Sequence, residues 1–372
     1  MNDFIQPLAG DTNTGVLVNS LFLKSLGAFA LAFIVTLICA PTVIRKLISL
    51  KVGQPIRTAE EVHKLAELHG AKAGTPTMGG VLIVGTTLLG TLCFAPLNNP
   101  FIIVASLTML GLSVLGFLDD YIKVTKKSSD GISAKQKLAG QFLIAFAAVA
   151  ILWFWPDAGN SRLGVGEFVS HVFIPFYGTL TLDWYFYIPF AVLVIVGSSN
   201  AVNLTDGLDG LASGCSITTA IAYAVIAYIC CDMQLAHSLH LPSHPDVGAL
   251  SIFLMALAGA CLGFLWFNCY PAKVFMGDTG SLALGGAFGV VAISTAQELV
   301  FVIVAGIFVM EALSVVLQVG SYKLRNKKRI FKMAPIHHHF ELSGWKETQV
   351  ITRFWMISLI LAFVGLALIK TV

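Results

Sequence analysis

The stretch NCYPAKVFMGDTGSLALGG, residues 268–286, lies between two long apolar runs, 247–267 and 281–296. Its central GDTGS sequence combines Asp278 with two glycines and with Ser281, a hydroxyl residue that can cap a following helix. Such a turn leaves backbone N–H groups free at a helix N-terminus, where a phosphate group is electrostatically favoured. A carboxylate beside that phosphate then requires a cation between them. The stretch therefore predicts a Mg²⁺-bridged phosphate site at a membrane surface, although similar turns also occur in ordinary loops.

The whole chain is too apolar for a soluble globule. Of its 372 residues, 56% are hydrophobic and 12% are charged, and the mean hydropathy is +0.83. Apolar residues are grouped in runs of about 16 to 23, near the length that crosses a hydrocarbon core as a helix. We therefore predict an all-α, polytopic membrane protein that forms one domain over residues 1–372. The predicted spans are 23–44, 78–94, 101–118, 138–155, 184–202, 211–231, 247–267, 281–296, 299–319 and 350–369.

Basic residues predict the orientation of these ten spans. Nineteen of the 23 Lys and Arg residues lie in alternate loops, whereas the opposite loops contain only Arg162. By the positive-inside rule the basic loops are cytoplasmic, and both termini are extracytoplasmic. On the outer side, residues 171–183 alternate apolar and polar side chains around Tyr177-Gly178, which predicts a small hairpin. The basic-side loops are 45–77, 119–137, 203–210, 268–280 and 320–349.

Acidic residues gather at span ends on the predicted cytoplasmic side. Asp119 and Asp120 end the third span, Asp206 and Asp209 follow the fifth, and Asp278 follows the seventh. Acids at span ends are commonly just solvated, but here three groups meet the same membrane face. Clustered carboxylates disfavour their own ionisation, and a hard divalent cation is the natural compensation. The pattern therefore favours a metal or phosphate site.

A histidine tract lies in the last basic loop, within KMAPIHHHFELSGW at residues 332–345. Three consecutive histidines cannot all face one metal on a regular helix, because successive side chains point about 100° apart. A zinc site is therefore disfavoured. Imidazoles beside a basic run fit phosphate contacts or acid–base groups better, and a solvated tract at the membrane edge is the alternative.

Two polar residues lie inside the ninth predicted span. Glu311 and Gln318 are seven positions apart, so they share a face of the helix. An acid within a span is costly and normally faces protein rather than lipid. We expect Glu311 to bond a neighbouring helix rather than to take part in catalysis.

Four motifs, in order and spacing, resemble those of the polyprenyl-phosphate N-acetylhexosamine-1-phosphate transferase superfamily. They are Asp119-Asp120, the NLTDGLDG segment at 203–210, Asn268 with the GDTGS turn, and the APIHHH run at 334–339. The TPTMGG turn at 75–80 and the histidine run resemble the branch of the superfamily that uses a UDP-N-acetylmuramoyl-pentapeptide donor. The resemblance extends from about residue 72 to residue 355.

The resemblance implies a reaction in bacterial peptidoglycan synthesis. The phosphate of undecaprenyl phosphate attacks the β-phosphate of UDP-N-acetylmuramoyl-pentapeptide, and lipid I and UMP are formed with Mg²⁺ as cofactor. It also implies a lipid-binding groove between spans in the inner membrane and an active site built from the cytoplasmic loops. A homodimer is expected, and a nucleic-acid partner is not.

The resemblance further assigns roles to individual residues. Asp278 resembles the Mg²⁺ ligand, Asp119 the group that deprotonates or orients the lipid phosphate, and Asp120 its partner near the metal. Because the second pKa of a phosphomonoester is about 6, the lipid phosphate is already mostly dianionic at neutral pH, which favours a positioning role for Asp119. His337 and His338 resemble catalytic contacts to the diphosphate or the sugar. The expected nucleotide-sugar contacts are Lys72, Asn203, Asp206, Asp209, Asn268, Phe275 as a platform for uracil, Gln318 and His339.

Two other functions are compatible with these residues. A related transferase that uses UDP-N-acetylglucosamine would present similar acids, and nothing in the residue chemistry recognises a pentapeptide. An ion-coupled transporter also uses acids within the membrane. Transporter acids lie near the midplane between repeated halves, whereas here the acids gather at one surface and no repeat is evident.

Overall fold

The computed structural model describes residues 12–49, 74–126, 131–156 and 164–369, with side chains from residue 20 onward. The predicted substrate contact Lys72 lies outside these ranges. The elements in the described ranges are α1 (Thr12–Ser49), α2 (Gly80–Phe94), α3 (Pro100–Lys126), α4 (Ala134–Trp153), α5 (Val165–Val169), β1 (His171–Ile174), β2 (Gly178–Thr181), α6 (Trp184–Thr205), α7 (Leu211–Cys231), α8 (Met233–Ser238), a 3₁₀ turn (Pro245–Gly248), α9 (Ala249–Asn268), α10 (Gly277–Ser294), α11 (Glu298–Val304), α12 (Gly306–Leu324), α13 (Ile336–Glu341) and α14 (Glu347–Leu368).

The fold is an all-α membrane bundle, as the hydropathy pattern predicts. Within the described ranges, eight helices are long and apolar enough to cross a membrane: α1, α3, α4, α6, α7, α9, α12 and α14. Two of the ten predicted spans are not among these eight. Span 78–94 is helix α2, which has only 15 residues, and span 281–296 is helix α10, which is buried inside the bundle. The ninth span, predicted as continuous over 299–319, is two helices that meet at Ala305, where the backbone leaves helical geometry before Gly306.

Helix α10 is the centre of the bundle. Every residue from Thr279 to Ser294 is buried, and the helix packs against α3 and α6. Ser198 and Ser199 of α6 donate hydrogen bonds to the Gly285 and Leu282 carbonyls, at 2.6 and 3.1 Å. Small residues and interhelical hydrogen bonds are the usual means of close helix packing in membranes. Because α10 is surrounded by protein, its many Gly, Ser and Thr residues are not exposed to lipid, and their polar groups do not destabilise the helix there.

The predicted hairpin is present at the far end of α10. Strands β1 and β2 pair antiparallel, with His171 opposite Thr181. The Phe173 N–H donates to the carbonyl of Ala296 at 3.1 Å, just beyond the last turn of α10. The start of α10 and the hairpin therefore lie at opposite ends of the bundle, about 25 Å apart along a helix of this length.

Candidate active site

Three carboxylates meet where α3 ends and α10 begins. Asp119 and Asp120 lie near the C-terminal end of α3, and Asp278 is in the first turn of α10. A ligand oxygen from each of the three lies within 4.8 Å of the others. Asp119 and Asp120 are buried, and Asp278 is partly buried. The structure thus brings together three of the five acids that the sequence predicts at one membrane face.

Asp120 caps the N-terminus of α10 from a different helix. Its Oδ1 accepts from the Asp278 N–H at 3.2 Å, and its Oδ2 accepts from the Thr279 N–H at 3.0 Å and the Thr279 hydroxyl at 2.7 Å. The first N–H groups of a helix have no partner within the helix and favour a negative charge. The Asp120 carboxylate supplies both the hydrogen-bond acceptor and the negative charge. It therefore fixes the position of Asp278 at the start of α10.

The TPTMGG turn holds the same end of α10. The Phe275 N–H donates to the Pro76 carbonyl at 2.8 Å, and the Gly79 N–H donates to the Phe275 carbonyl at 2.9 Å. Gly277 has a φ of +73°, and a Cβ there would meet Asp120 Oδ2 and the Thr77 hydroxyl. Only glycine suits both that left-handed backbone and that close approach. The turn at 75–80 therefore supports the carboxylate cluster.

Two lysines offset part of the cluster's negative charge. Lys123 Nζ lies 2.6 Å from Asp119 Oδ2 and 2.9 Å from Asp278 Oδ2. Lys137 Nζ, on α4, lies 2.8 Å from Asp278 Oδ2. The Asn203 amide donates to Asp278 Oδ1 at 2.7 Å. Asp278 therefore has a positive or donor group on each oxygen, and its orientation is tightly defined.

Neither lysine belongs to a motif recognised in the sequence. Lys123 could have been found, because it follows Asp119 by four positions and shares its helical face. Lys137 offered no such signal, since it reaches the cluster from another helix. Both lysines carry charge that a phosphate group can use.

The cluster fits a hard divalent cation. Three carboxylates within 4.8 Å of one another offer only oxygen ligands, the type that Mg²⁺ and Ca²⁺ prefer. Asp206, directly after α6, belongs to the same electrostatic environment. Burial and the carboxylates of Asp278 and Asp120 raise the pKa of Asp206 well above its usual value. A cation in the cluster would offset this concentration of acids.

Several predicted substrate contacts hold loops together. Buried Asn268 donates to the Val274 carbonyl at 2.9 Å and accepts from Ser213 at 2.9 Å. Asp209 Oδ2 accepts from the Ala272 N–H at 2.9 Å. The 268–280 loop is thereby tied to α7 and to the 203–210 turn.

Two further predicted contacts shape the loop between α12 and α13. Gln318 Oε1 accepts from the N–H groups of Ile330 and Phe331, at 2.9 and 3.0 Å, and its Nε2 donates to the Phe331 carbonyl. His339 Nδ1 accepts from the Lys332 N–H at 3.1 Å. Both side chains use their polar atoms within the protein and fold the basic segment back onto its helix.

The histidine tract forms the short helix α13, which packs against the site. His337 is fully buried, and its Nδ1 lies 3.1 Å from Glu311 Oε2 on α12. His338 Nδ1 lies 2.8 Å from Glu341 Oε2. A Cβ on Gly207 would overlap the His337 ring, so α13 touches the 203–210 turn. Glu311 thus contacts a neighbouring helix, as its position in a span predicts.

Carboxylates, lysines and imidazoles therefore converge at one end of a membrane bundle, beside the N-terminus of a buried helix. This arrangement defines an integral membrane enzyme that handles phosphate groups. A family model described as glycosyl transferase family 4 matches residues 102–296, and one described as phospho-N-acetylmuramoyl-pentapeptide-transferase signature 1 matches residues 72–84.

Curated relatives extend this match over nearly the whole chain. The phospho-N-acetylmuramoyl-pentapeptide-transferase of Methylacidiphilum infernorum is 48% identical over 93% of each chain. That of Pelobacter propionicus is 46% identical over 98% of each chain. That of Maridesulfovibrio salexigens is 42% identical over 99% of this chain and 98% of its own. The chain belongs to the phospho-N-acetylmuramoyl-pentapeptide-transferase family.

Proposed function

We propose that the protein transfers phospho-N-acetylmuramoyl-pentapeptide from its UDP carrier to undecaprenyl phosphate, giving lipid I and UMP for peptidoglycan synthesis. Identity of 42 to 48% with enzymes named for this transfer supports the proposal. The structural observation that carries it is the cluster of Asp119, Asp120 and Asp278 with Lys123 and Lys137 at the start of α10. Neither a UDP-N-acetylglucosamine transferase nor a transporter is favoured by these relatives.

The chemistry fits a site that works by positioning and charge neutralisation. An oxygen of the lipid phosphate forms a bond to the β-phosphorus of the donor, and the bond from that phosphorus to the bridging oxygen of UMP breaks. Asp119 is itself held by the Ile132 N–H at 2.7 Å and by Lys123. A carboxylate held so firmly suits orientation of the lipid phosphate better than free proton exchange. Lys123 and Lys137 supply positive charge for the diphosphate.

We propose Mg²⁺ as the cofactor, with Asp278 as its ligand and Asp119 and Asp120 close by. When bound, the ion would neutralise charge on the diphosphate and on the departing UMP. The oxygen-only donor set supports this choice of metal.

Removing divalent cations is expected to stop turnover reversibly. The three carboxylates and the diphosphate are all anionic, so the lysines alone leave the loaded site with excess negative charge. UMP release measured against free Mg²⁺ should fall to background with EDTA and return when Mg²⁺ is added. EDTA saturated with Mg²⁺ beforehand is the control and should have no effect. Full turnover without free divalent cations would rule out the metal.

The proposal places the site on the cytoplasmic face of the bacterial inner membrane. Lys123, Lys137 and the basic segment after α12 all lie at the same end of the bundle as the carboxylates, in agreement with the positive-inside rule. A UDP-linked donor is also a cytoplasmic metabolite. The proposed homodimer rests on the family resemblance alone, and the mass of the purified protein, corrected for bound detergent, checks it.

Phe275→Ala is expected to weaken donor binding with little loss of kcat. Phe275 is partly exposed beside the cluster, and its backbone is fixed by the 75–80 turn. Stacking of a base on an aromatic ring contributes about 1–3 kcal/mol, so KM for the UDP donor should rise roughly 5- to 150-fold. Phe176→Ala, which removes an exposed ring from the distant hairpin, is the matched control. An unchanged donor affinity would show that the Phe275 ring only packs.

Product analysis separates the proposed reaction from its nearest alternative. The purified protein is given undecaprenyl phosphate with either UDP-N-acetylmuramoyl-pentapeptide or UDP-N-acetylglucosamine, and the lipid fraction is examined by mass spectrometry. We expect a muramoyl-pentapeptide diphospholipid from the first donor and no product from the second. A lipid-linked N-acetylglucosamine would contradict the proposal.

A further inference from the structure

Glu311 and His337 form a completely buried pair at the edge of the site. Both residues are 0% exposed, and the His337 Nδ1 lies 3.1 Å from the Glu311 Oε2. The two atoms are at ion-pair distance but are not aligned as a hydrogen bond. Among the described residues, neither side chain has a hydrogen-bond partner. Each group is therefore the ion-pair partner of the other, and the His338 ring lies edge-on to the His337 ring with its centroid 4.1 Å away.

Burial makes this pairing costly unless the two groups share a proton. An isolated buried carboxylate costs several kcal/mol, and the cost falls when a cation lies beside it. Imidazole is the one side chain that gains or loses a proton near neutral pH without perturbation. The Glu311 carboxylate and the His337 ring therefore compensate each other's burial, because each is the other's ion-pair partner.

The other edge of the His337 ring faces the 203–210 turn. A Cβ built on Gly207 would overlap His337 Nε2 and Cε1. Gly207 lies between Asp206 and the residues that tie this turn to the 268–280 loop. The imidazole therefore lies between the acid on α12 and a turn that belongs to the proposed donor site. Neighbouring His338 has its own acid, Glu341, at 2.8 Å.

We infer that Glu311 is a positioning residue, which holds the His337 ring against Gly207 and so fixes the 203–210 turn of the proposed donor site. This inference rests on the proposed function for its substrate. The pairing of Glu311 with His337 does not depend on that function, because it follows from the burial of the two side chains and the distance between them. Gly207 keeps the space that the ring needs.

A double-mutant cycle in the full-length, detergent-purified protein tests the inference. We expect E311Q to lower kcat/KM for the donor about tenfold or more, mainly through kcat, as loss of an orienting partner usually does. The double variant E311Q/H337Q should be no worse than H337Q alone, because the two groups act as a unit. E311D, which retains the carboxylate, should recover part of the loss. Independent, multiplicative losses in the double variant would overturn the inference.

Glu298→Gln is the matched control. Glu298 is also a buried glutamate, 1% exposed, but lies near the hairpin end of the bundle. E298Q should leave kcat unchanged. A purely structural role for Glu311 predicts a different result: the melting temperature of E311Q would fall while kcat per folded molecule stayed normal. We expect kcat per folded molecule to fall as well, whatever happens to the melting temperature, since breaking a buried pair by removing one partner is destabilising in either case.

A readout that needs no turnover separates this inference from the proposed function. In protein labelled with ¹⁵N-histidine, the His337 signals are identified by their loss in H337Q. They should shift in E311Q and stay unchanged in E298Q. Unshifted His337 signals in E311Q would overturn the pairing even if turnover is normal. If the wild-type protein releases no UMP but the shift is seen, the pairing stands and the proposed function fails.

Discussion

Asp278→Asn should lower turnover about 10²- to 10³-fold, the usual effect of removing one preorganised electrostatic group, while the bundle stays folded. Asp278 lies within 2.9 Å of both lysines and accepts from Asn203, whereas Asp119 is close to Lys123 but 3.9 Å from Lys137. The asparagine keeps the shape of the side chain but removes the charge that orders both lysines and suits a cation. Gly277 and the Asp120 cap are untouched, so α10 should begin as before.

Three measurements on the purified variant check this expectation. UMP release gives the turnover, its dependence on Mg²⁺ gives the metal requirement, and the melting temperature reports the fold. Asp246→Asn is the matched control, because Asp246 is an exposed acid at the opposite end of the bundle. Near-normal Mg²⁺-dependent turnover in Asp278→Asn would contradict the assignment of Asp278 to the metal.

Asp120→Asn should reduce both turnover and stability. Asp120 accepts three hydrogen bonds from the first turn of α10, and an amide NH₂ would face N–H donors there. An unsatisfied buried donor costs about 1–3 kcal/mol of unfolding free energy. Displacement of Asp278 by about 1 Å is enough for a loss of roughly 100-fold in kcat. The same substitution would affect turnover alone if Asp120 acted only as a metal ligand or base.

Thr279→Val is expected to weaken the cap of α10 less than Asp120→Asn does. It removes one hydroxyl donor to Asp120 and retains the backbone N–H bond. A single such hydrogen bond contributes about 0.5–1.5 kcal/mol, so stability and turnover should fall much less than in Asp120→Asn. Chemical denaturation and UMP release on the same samples measure the two effects together. An Asp120→Asn protein that unfolds like wild type would contradict the capping role.

The convergence of the acids was predictable from the sequence because it depends only on the alternation of spans. Asp119, Asp206 and Asp278 each follow a span that ends on the same side. The GDTGS turn also indicated a helix N-terminus, which α10 provides. The hairpin followed from two-residue alternation, a purely local signal.

Features of the site that depend on contacts between distant parts of the chain could not be predicted from the sequence. Asp120 caps a helix more than 150 positions away, and Lys137 joins the cluster from α4. The amides of Asn268 and Gln318 also hold loops together, which their residue types alone do not reveal; their substrate contacts stay predictions. The break at Ala305 was hidden because both halves of that predicted span are apolar. Apolar periodicity does not register a change of backbone direction.

The most direct test of the proposed reaction is UMP release by the purified protein in an omission series. UDP-N-acetylmuramoyl-pentapeptide, undecaprenyl phosphate and Mg²⁺ are supplied together, and then each is left out in turn. We expect UMP only when all three are present, because the lipid phosphate is the attacking group and the carboxylate cluster needs a cation. UMP release without the lipid, or none from a folded protein given all three, would contradict the account.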